Sequence, residues 1–290
     1  MTTRTTIMST FNFNRFSQAL KCQFMVERKT WIRLFGIFTF VMFMANLFFT
    51  RLQTNYRNIV ENFPTEIESY YDSHVAQTVA FGVFFFCVAM LFGISSMFSQ
   101  MKDTRKRSAY LMWPVSNLEK YVVSFLLYFV LMAVLTVGAY MLADSLRVFV
   151  DWVTGRVVIW GIPKLSEPFT SPDGPFEHWQ YCWMFFTWVF YTHSFYTLGG
   201  TLFRRQQFLF TTGTVVAIII LLVTIMNQIN PHIEFISGNW DEKTQTYTHI
   251  FHPFFYILHS TMCALMVFHY WASYKLFTRM QVINNKWLNI

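Results

Sequence analysis

The chain has 290 residues, of which 54% are hydrophobic, 20% aromatic and only 13% charged, with a net charge of +7. Ordinary soluble domains carry about 25% charged residues, so a soluble globular fold is excluded for most of the chain, as is a charge-rich disordered one. The positive excess is divided among short segments that flank apolar runs instead of forming one patch, which leaves no nucleic acid among the expected partners.

Residues 1–31 are polar and basic. Within them Phe16, Ala19, Leu20 and Phe24 recur at three- and four-residue spacing among Arg15, Lys21, Arg28 and Lys29. That spacing predicts an amphipathic helix over 14–31, lying on the inner leaflet, with an irregular basic arm as the alternative. The chain is expected to turn into the membrane at Trp31. The first apolar run, 34–50, is long enough to remain as an anchor and is not read as a cleaved signal peptide. Further runs follow at 75–98, 121–142, 181–203, 208–226 and 254–277, so 32–278 is expected to be a transmembrane domain and 279–290 a cytoplasmic tail. Stretches such as GVFFFCVAMLFG and VVAIIILLV are apolar on every side, which fits helices and not the alternation of a barrel. The expected fold is an all-α integral membrane protein with six transmembrane helices, both termini cytoplasmic and an N-terminal amphipathic interfacial helix.

The connectors set the orientation. Arg4, Arg15, Lys21, Arg28, Lys29 and Arg33 precede the first run, and Lys102, Arg105, Lys106, Arg107 and Lys120 lie between the second and third. Most acids fall in the alternate connectors, although Arg51, Arg57, Arg147, Arg156, Lys164 and Lys243 fall there too. Retention of positive charge on the cytoplasmic side then places both ends inside. After Pro114, Ser116 and Glu119 have the spacing of a capping box, so a helix is expected to start at about Asn117. Between the third and fourth runs, 157–160 reads as a short strand or an interfacial segment, and Pro172-Asp173-Gly174 as a turn. The connector 227–252 carries Ile233, Phe235, Ile236 and Trp240 and is expected to dip back toward the membrane. Cys22, Cys87, Cys182 and Cys263 are widely spaced and read as small buried residues, without a disulfide framework or metal motif.

The segment WPVSNLEKY, 113–121, resembles the ABC-2 type permease family, in which a basic cytoplasmic segment leads into a Leu-Pro-Ala-Ser-x-x-Glu-Lys pattern. Pro114, Ser116, Glu119 and Lys120 match it, and Trp113 and Val115 replace the usual Leu and Ala. The tail YWASYKLFTRMQVI, 270–283, is similar to the family's ending at Tyr274, Phe277, Arg279, Gln281 and Val282. The resemblance implies a transmembrane permease subunit of an ATP-driven transporter, an exporter, in the bacterial cytoplasmic (inner) membrane. It implies that the N-terminal surface helix is a connecting helix. It also implies that the loop 96–107 couples the chain to separate cytoplasmic ABC ATPase subunits through Ser96, Gln100, Lys102, Asp103, Arg105, Lys106 and Arg107. The basic residues there equally satisfy the charge rule for cytoplasmic loops.

The chain has no Gly-x-x-x-x-Gly-Lys-Ser/Thr phosphate loop, so ATP is expected on the partner subunit and no cofactor, metal or catalytic site on this one. No Asp, Glu, Lys or Arg falls in the middle of a predicted span, which is read against an ion-coupled carrier. Six helices form a thin wall for a passage, so a homodimer or a heterodimer with a second permease is expected. Thr187, Tyr191, Thr192, Ser194 and Thr197 form a polar row in the fourth run that suits either a substrate path or interhelical hydrogen bonding. Other readings are a non-transporting scaffold or sensor and an intramembrane hydrolase using Ser95 with His259 or His269. A metal or haem site on His193, His249, His252 and His259 is a further one.

Overall fold

The computed structural model describes residues 11–52, 65, 67–99, 104–167, 179–203, 206–229, 235–241 and 246–279. Gln100, Lys102, Asp103, the Pro-Asp-Gly turn and residues 280–290 of the tail lie outside the described residues. Seven helices and one hairpin are seen among them: α1 (Phe13–Leu47), α2 (Ile67–Ser95), α3 (Thr104–Leu111), α4 (Asn117–Val153), α5 (Trp179–Leu202), α6 (Gln207–Ile229), β1 (Ile236–Asp241), β2 (Thr246–Phe251) and α7 (Pro253–Arg279). Four of the helices, α1, α2, α4 and α6, are long and apolar enough to cross a membrane, which is consistent with a largely α-helical membrane protein. Helices α5 and α7 occupy the other two predicted runs but carry rows of Thr, Ser and His. The chain forms two compact units, one of residues 1–93 and 114–181 and the other of 94–113 and 182–290.

The first unit is built on α1, α2 and α4. Asn12 caps α1 through its side-chain oxygen, which accepts from the amides of Asn14 and Arg15 at 3.0 and 3.3 Å. The helix then runs for 35 residues without a break and ends in a π-helical turn, Phe48–Leu52. The expected turn at Trp31 is therefore corrected: nothing in Lys29-Thr30-Trp31-Ile32 interrupts a helix, and Trp31 is buried edge-on against Tyr128, with ring centroids 5.2 Å apart. The amphipathic segment and the first apolar run form one rod, about 52 Å long at 1.5 Å per residue. Phe38 meets Phe85 of α2 edge-on at 5.3 Å, and a Cβ on Gly82 would come within 2.7 Å of the Tyr140 ring. That glycine is what lets α2 and α4 approach there.

Helix α4 contains a π-helical segment, Leu126–Leu131, and ends in a Schellman arrangement: Gly155 has φ +66°, its amide donates to Trp152 O at 3.2 Å, and Arg156 N donates to Asp151 O at 3.0 Å. The helix thus continues eleven residues beyond the predicted end at Leu142. Its outward face stays apolar throughout, with Val130, Val134, Val137, Met141, Leu146, Phe149 and Trp152 all exposed. Residues 157–160 form no strand, because α4 holds them: Arg147 Nη2 donates to Ile159 O at 2.6 Å.

In the second unit, close contact between α5 and α6 depends on Gly199, where a Cβ would overlap Thr211 Oγ1 at 2.0 Å. Gln207 Nε2 donates to Gly200 O at 2.7 Å across the same turn. The described part of the connector expected to dip toward the membrane forms an antiparallel hairpin, with Ile236 opposite Phe251 and Asp241 opposite Thr246. Pairing satisfies its backbone locally, and apart from this one hairpin the regular elements among the described residues are helical, in keeping with an all-α membrane protein. All four cysteines are free; the reading of them as buried is corrected for Cys22 and Cys87, which are exposed on their helices, while Cys182 and Cys263 are half-buried.

Candidate functional site

The capping box read from Ser116 and Glu119 is present. Glu119 N donates to Ser116 Oγ at 3.2 Å, and Ser116 N donates to Glu119 Oε2 at 2.8 Å. Glu119 does more than cap: its Oε1 accepts from Asn12 N at 2.7 Å and from Arg15 Nη2 at 2.9 Å. The carboxylate is fully buried, and one side chain thereby joins the start of α1 to the start of α4. Lys120 is buried beside it, while Pro114 is exposed. A charged acceptor with three donors is a strong tie, since hydrogen bonds to charged groups contribute about 1.5–3 kcal/mol each.

In the second unit, α3 carries residues 104–107 of the predicted coupling loop. Tyr110 is buried on α3 and packs against Trp113 at 5.6 Å and Phe277 of α7 at 6.4 Å. Phe98 stacks on the same Phe277 at 4.9 Å. This aromatic seat leaves Arg105 and Lys106 exposed on α3 and turns Arg107 inward, at 3% exposure. Ser96 is half-buried, its carbonyl accepting from Ser99 N at 2.9 Å. Of the three consecutive basic residues, two are exposed and one is buried.

A further cluster at the far end of α4 was missed by sequence reasoning. Arg147 is fully buried between two fully buried carboxylates: Nη2 lies 2.7 Å from Asp144 Oδ1 and Nη1 lies 3.1 Å from Asp151 Oδ2. Asp144 Oδ2 also accepts from the amides of Gly161 and Ile162, at 3.0 and 3.2 Å. Asp151 accepts from Arg51 of the π-helical turn that ends α1 at 3.0 Å and from the Tyr71 hydroxyl of α2. Two arginines balance two aspartates, so the cluster is neutral and ties α1, α2, α4 and the following loop together. These three charges lie beyond the predicted run 121–142, on the part of α4 that continues past it, and share its inner face while its outer face remains apolar. Their spacing, i, i+3 and i+7, places them on one face and was the available signal. Nearby, Lys164 Nζ sits 2.7 Å from Asp72 and 3.6 Å from Glu167. Burial works to depress this amine, but the hydrogen bond and charge of Asp72, with a smaller part from Glu167, hold it above its ordinary value.

The polar row of α5 faces α7. Ser194 Oγ donates to Tyr191 O at 2.7 Å and lies 3.1 Å from His269 Nδ1, while the Tyr191 ring packs on the same imidazole at 5.5 Å. Thr187 Oγ1 is 4.0 Å from Cys263 Sγ, and His193 Nδ1 is 2.5 Å from the Tyr270 hydroxyl. These are the contacts of the interhelical alternative. Of the imidazoles weighed for a hydrolase with Ser95, His269 Nδ1 lies 3.1 Å from Ser194 Oγ and His259 Nδ1 lies 2.7 Å from Phe255 O. His252 pairs with Ser237 at 2.9 Å, and among the described residues no three His, Cys, Asp or Glu side chains gather as a metal site would require. The side chain of His249 lies outside the described residues. Comparison with protein families, with curated proteins and with solved structures finds no match to this chain.

Proposed function

We propose that the chain is the transmembrane permease subunit of an ATP-driven transporter of the ABC-2 type, an exporter seated in the bacterial cytoplasmic (inner) membrane. In this reading it crosses the bilayer six times with both termini in the cytoplasm, pairs with itself or a second permease, and is moved by separate ABC ATPase subunits that bind the ATP. The observation that carries it is α3: a short polar helix between two long apolar ones, fixed by Tyr110 on Phe277 and presenting Arg105 and Lys106 outward. A helix held by aromatic packing on the end of α7 moves with it as a rigid lever. The exposed cation of Lys106 suits an acid on a partner. The resemblance at Pro114, Ser116, Glu119 and Lys120 supports the family, and the junction formed by Glu119 supports a connecting helix mechanically tied to a spanning one.

The test is a mild-detergent purification of the tagged chain, with identification of co-purifying subunits and an ATPase assay. An ABC ATPase is expected in the complex, and Arg105→Glu with Lys106→Glu is expected to reduce its recovery at least about tenfold, since like charges placed against each other at a contact cost several kcal/mol. Recovery of the chain alone, under conditions that hold together a control ABC-2 transporter, would favour a non-transporting scaffold instead.

A further inference from the structure

The buried face of α1 that carries Trp31, Phe38 and Met42 continues into Asn46, which has no exposed surface. Met42 packs in one cluster with Val79 of α2 and with Tyr140 and Ala143 of α4, and Arg51, a little beyond Asn46, reaches Asp151. Asn46 therefore lies between these two contacts, level with the turn of α4 that joins Ala143 to Arg147. Among the described residues neither Oδ1 nor Nδ2 of Asn46 has a hydrogen-bond partner, and neither has the hydroxyl of Tyr140, which is buried in the same layer. The Thr78 hydroxyl, fully buried on α2 next to Val79, stands beside Tyr140 without closing a hydrogen bond to it, and donates its own proton to Val75 O at 2.7 Å. One turn before Thr78 on the same face, His74 is buried with neither ring nitrogen bonded. Three helices thus turn polar groups into one layer, while the outward side of α4 at that level, Val137 and Met141, is exposed hydrocarbon.

We infer that this layer is an enclosed binding site for ordered water, with Asn46, Thr78 and Tyr140 as its partners. Buried polar groups in folded proteins are almost always paired, either with protein or with water. An enclosed water makes about three hydrogen bonds, to groups that lack another partner. The groups here match that need. Asn46 Nδ2 and the Tyr140 hydroxyl have protons to give, Asn46 Oδ1 and Thr78 Oγ1 have lone pairs to receive them, and a water molecule both gives and receives. A metal cation does not suit the set, because no carboxylate is left over: Asp144 and Asp151 are taken up by Arg147, Arg51, Tyr71 and backbone amides. An anion does not suit it either, since Arg147 and Arg51 are held by those same carboxylates. The site stands on the packing of the first unit and does not depend on the ATPase partner.

The experiment exposes the full chain in detergent micelles to millisecond X-ray pulses, which turn water into hydroxyl radicals where it stands, and maps the oxidised side chains by peptide mass spectrometry. Met42 and Met132 form the comparison, because both are thioethers and they are 0% and 1% exposed. Met42 adjoins the polar layer, whereas Met132 sits in the apolar cluster of Val123, Leu127 and Ala139. Met42 is expected to be oxidised at least about fivefold faster than Met132, as water held against it requires. After rapid mixing into oxygen-18 water, the heavy oxygen gained by Met42 should lag behind that gained by the exposed Met112, which marks the water as enclosed. Asn46→Leu, which removes both amide atoms at nearly constant volume, should bring Met42 down to the Met132 rate. Equal rates for Met42 and Met132 in the native chain would overturn the site, and that comparison decides even where the variant does not fold. Fast oxidation of Met42 that persists in Asn46→Leu would overturn it too, since other groups would then hold the water. Uptake of oxygen-18 at Met42 as fast as at Met112 would replace an enclosed site with an opening to bulk solvent.

Discussion

Arg147 is the residue whose loss should be felt most. Its guanidinium has no exposed surface and is held by Asp144, Asp151 and Ile159 O. Arg147→Met would leave two carboxylates buried without their main partner, and removal of one member of a buried ion pair costs about 3–5 kcal/mol. Thermal unfolding in detergent should show that loss, and Asp144→Asn combined with Arg147→Met should restore part of it; equal instability of both variants would mean that packing and not charge is at stake. Glu119→Ala removes a carboxylate from three donors and should cost about 2–4 kcal/mol, whereas Ser116→Ala removes one cap and should cost about 1 kcal/mol. The Lys164 ion pairs are partly exposed and contribute less than about 1 kcal/mol. Because its folded-state pKa is raised, that contribution is complete below the unfolded value and disappears only as pH rises through the folded one. The stability difference between the native chain and Lys164→Met should therefore be flat across neutral pH and shrink above about pH 10.5.

At the level of elements, the sequence was readable where a structure is local and opaque where it is not. Ser116 and Glu119 are three residues apart, and the capping box follows from their identity alone. The bonds from Glu119 to Asn12 and Arg15 span 107 and 104 residues, so no local pattern announces them. The end of α4 was misplaced for a different reason. Asp144 stops a run of apolar residues on a linear count, but on a helix only one face is interrupted, and Gly155 after Thr154 was the true stop signal. Residues 14–31 and 34–50 were read as two elements because their composition changes, yet composition sets what a helix faces and not whether it continues. A nitroxide scan of α1 in a chain whose four cysteines are replaced tests this directly. Mobility minima are expected at Trp31, Phe35, Phe38 and Met42 with one unbroken phase. A loss of phase near Trp31 would restore the separate interfacial helix.

On the scale of a whole bilayer crossing, the pairing of α1 with α4 decides where the membrane lies. The two helices run side by side in the same direction: Arg15 meets Glu119, Trp31 meets Tyr128, Phe35 lies 3.6 Å from where a Cβ on Gly138 would be, and Arg51 meets Asp151. If hydrocarbon began at Tyr121 on α4, then Arg28, Lys29 and Arg33 on the exposed face of α1 would stand within it, each at a cost of about 2.5–3.5 kcal/mol at the centre of a span. Moving the crossing outward to 130–153 removes that conflict. It encloses Asp144, Arg147 and Asp151, but these are buried and mutually neutralised, and the lipid side there is Met141, Leu146 and Phe149 with Trp152 at the outer boundary. A stretch of about 24 residues rises about 36 Å, enough for a hydrocarbon core of about 30 Å. Spin labels placed singly at Val130, Val134, Val137, Met141, Leu146 and Phe149, with collision rates measured against oxygen and a water-soluble nickel chelate, should give the greatest depth near Met141. A maximum near Leu131 would return the crossing to 121–142 and place the charge cluster outside the bilayer. In the expected case the protein keeps a neutral ionic lock within the bilayer, where the loss of one partner cannot be relieved by bulk water.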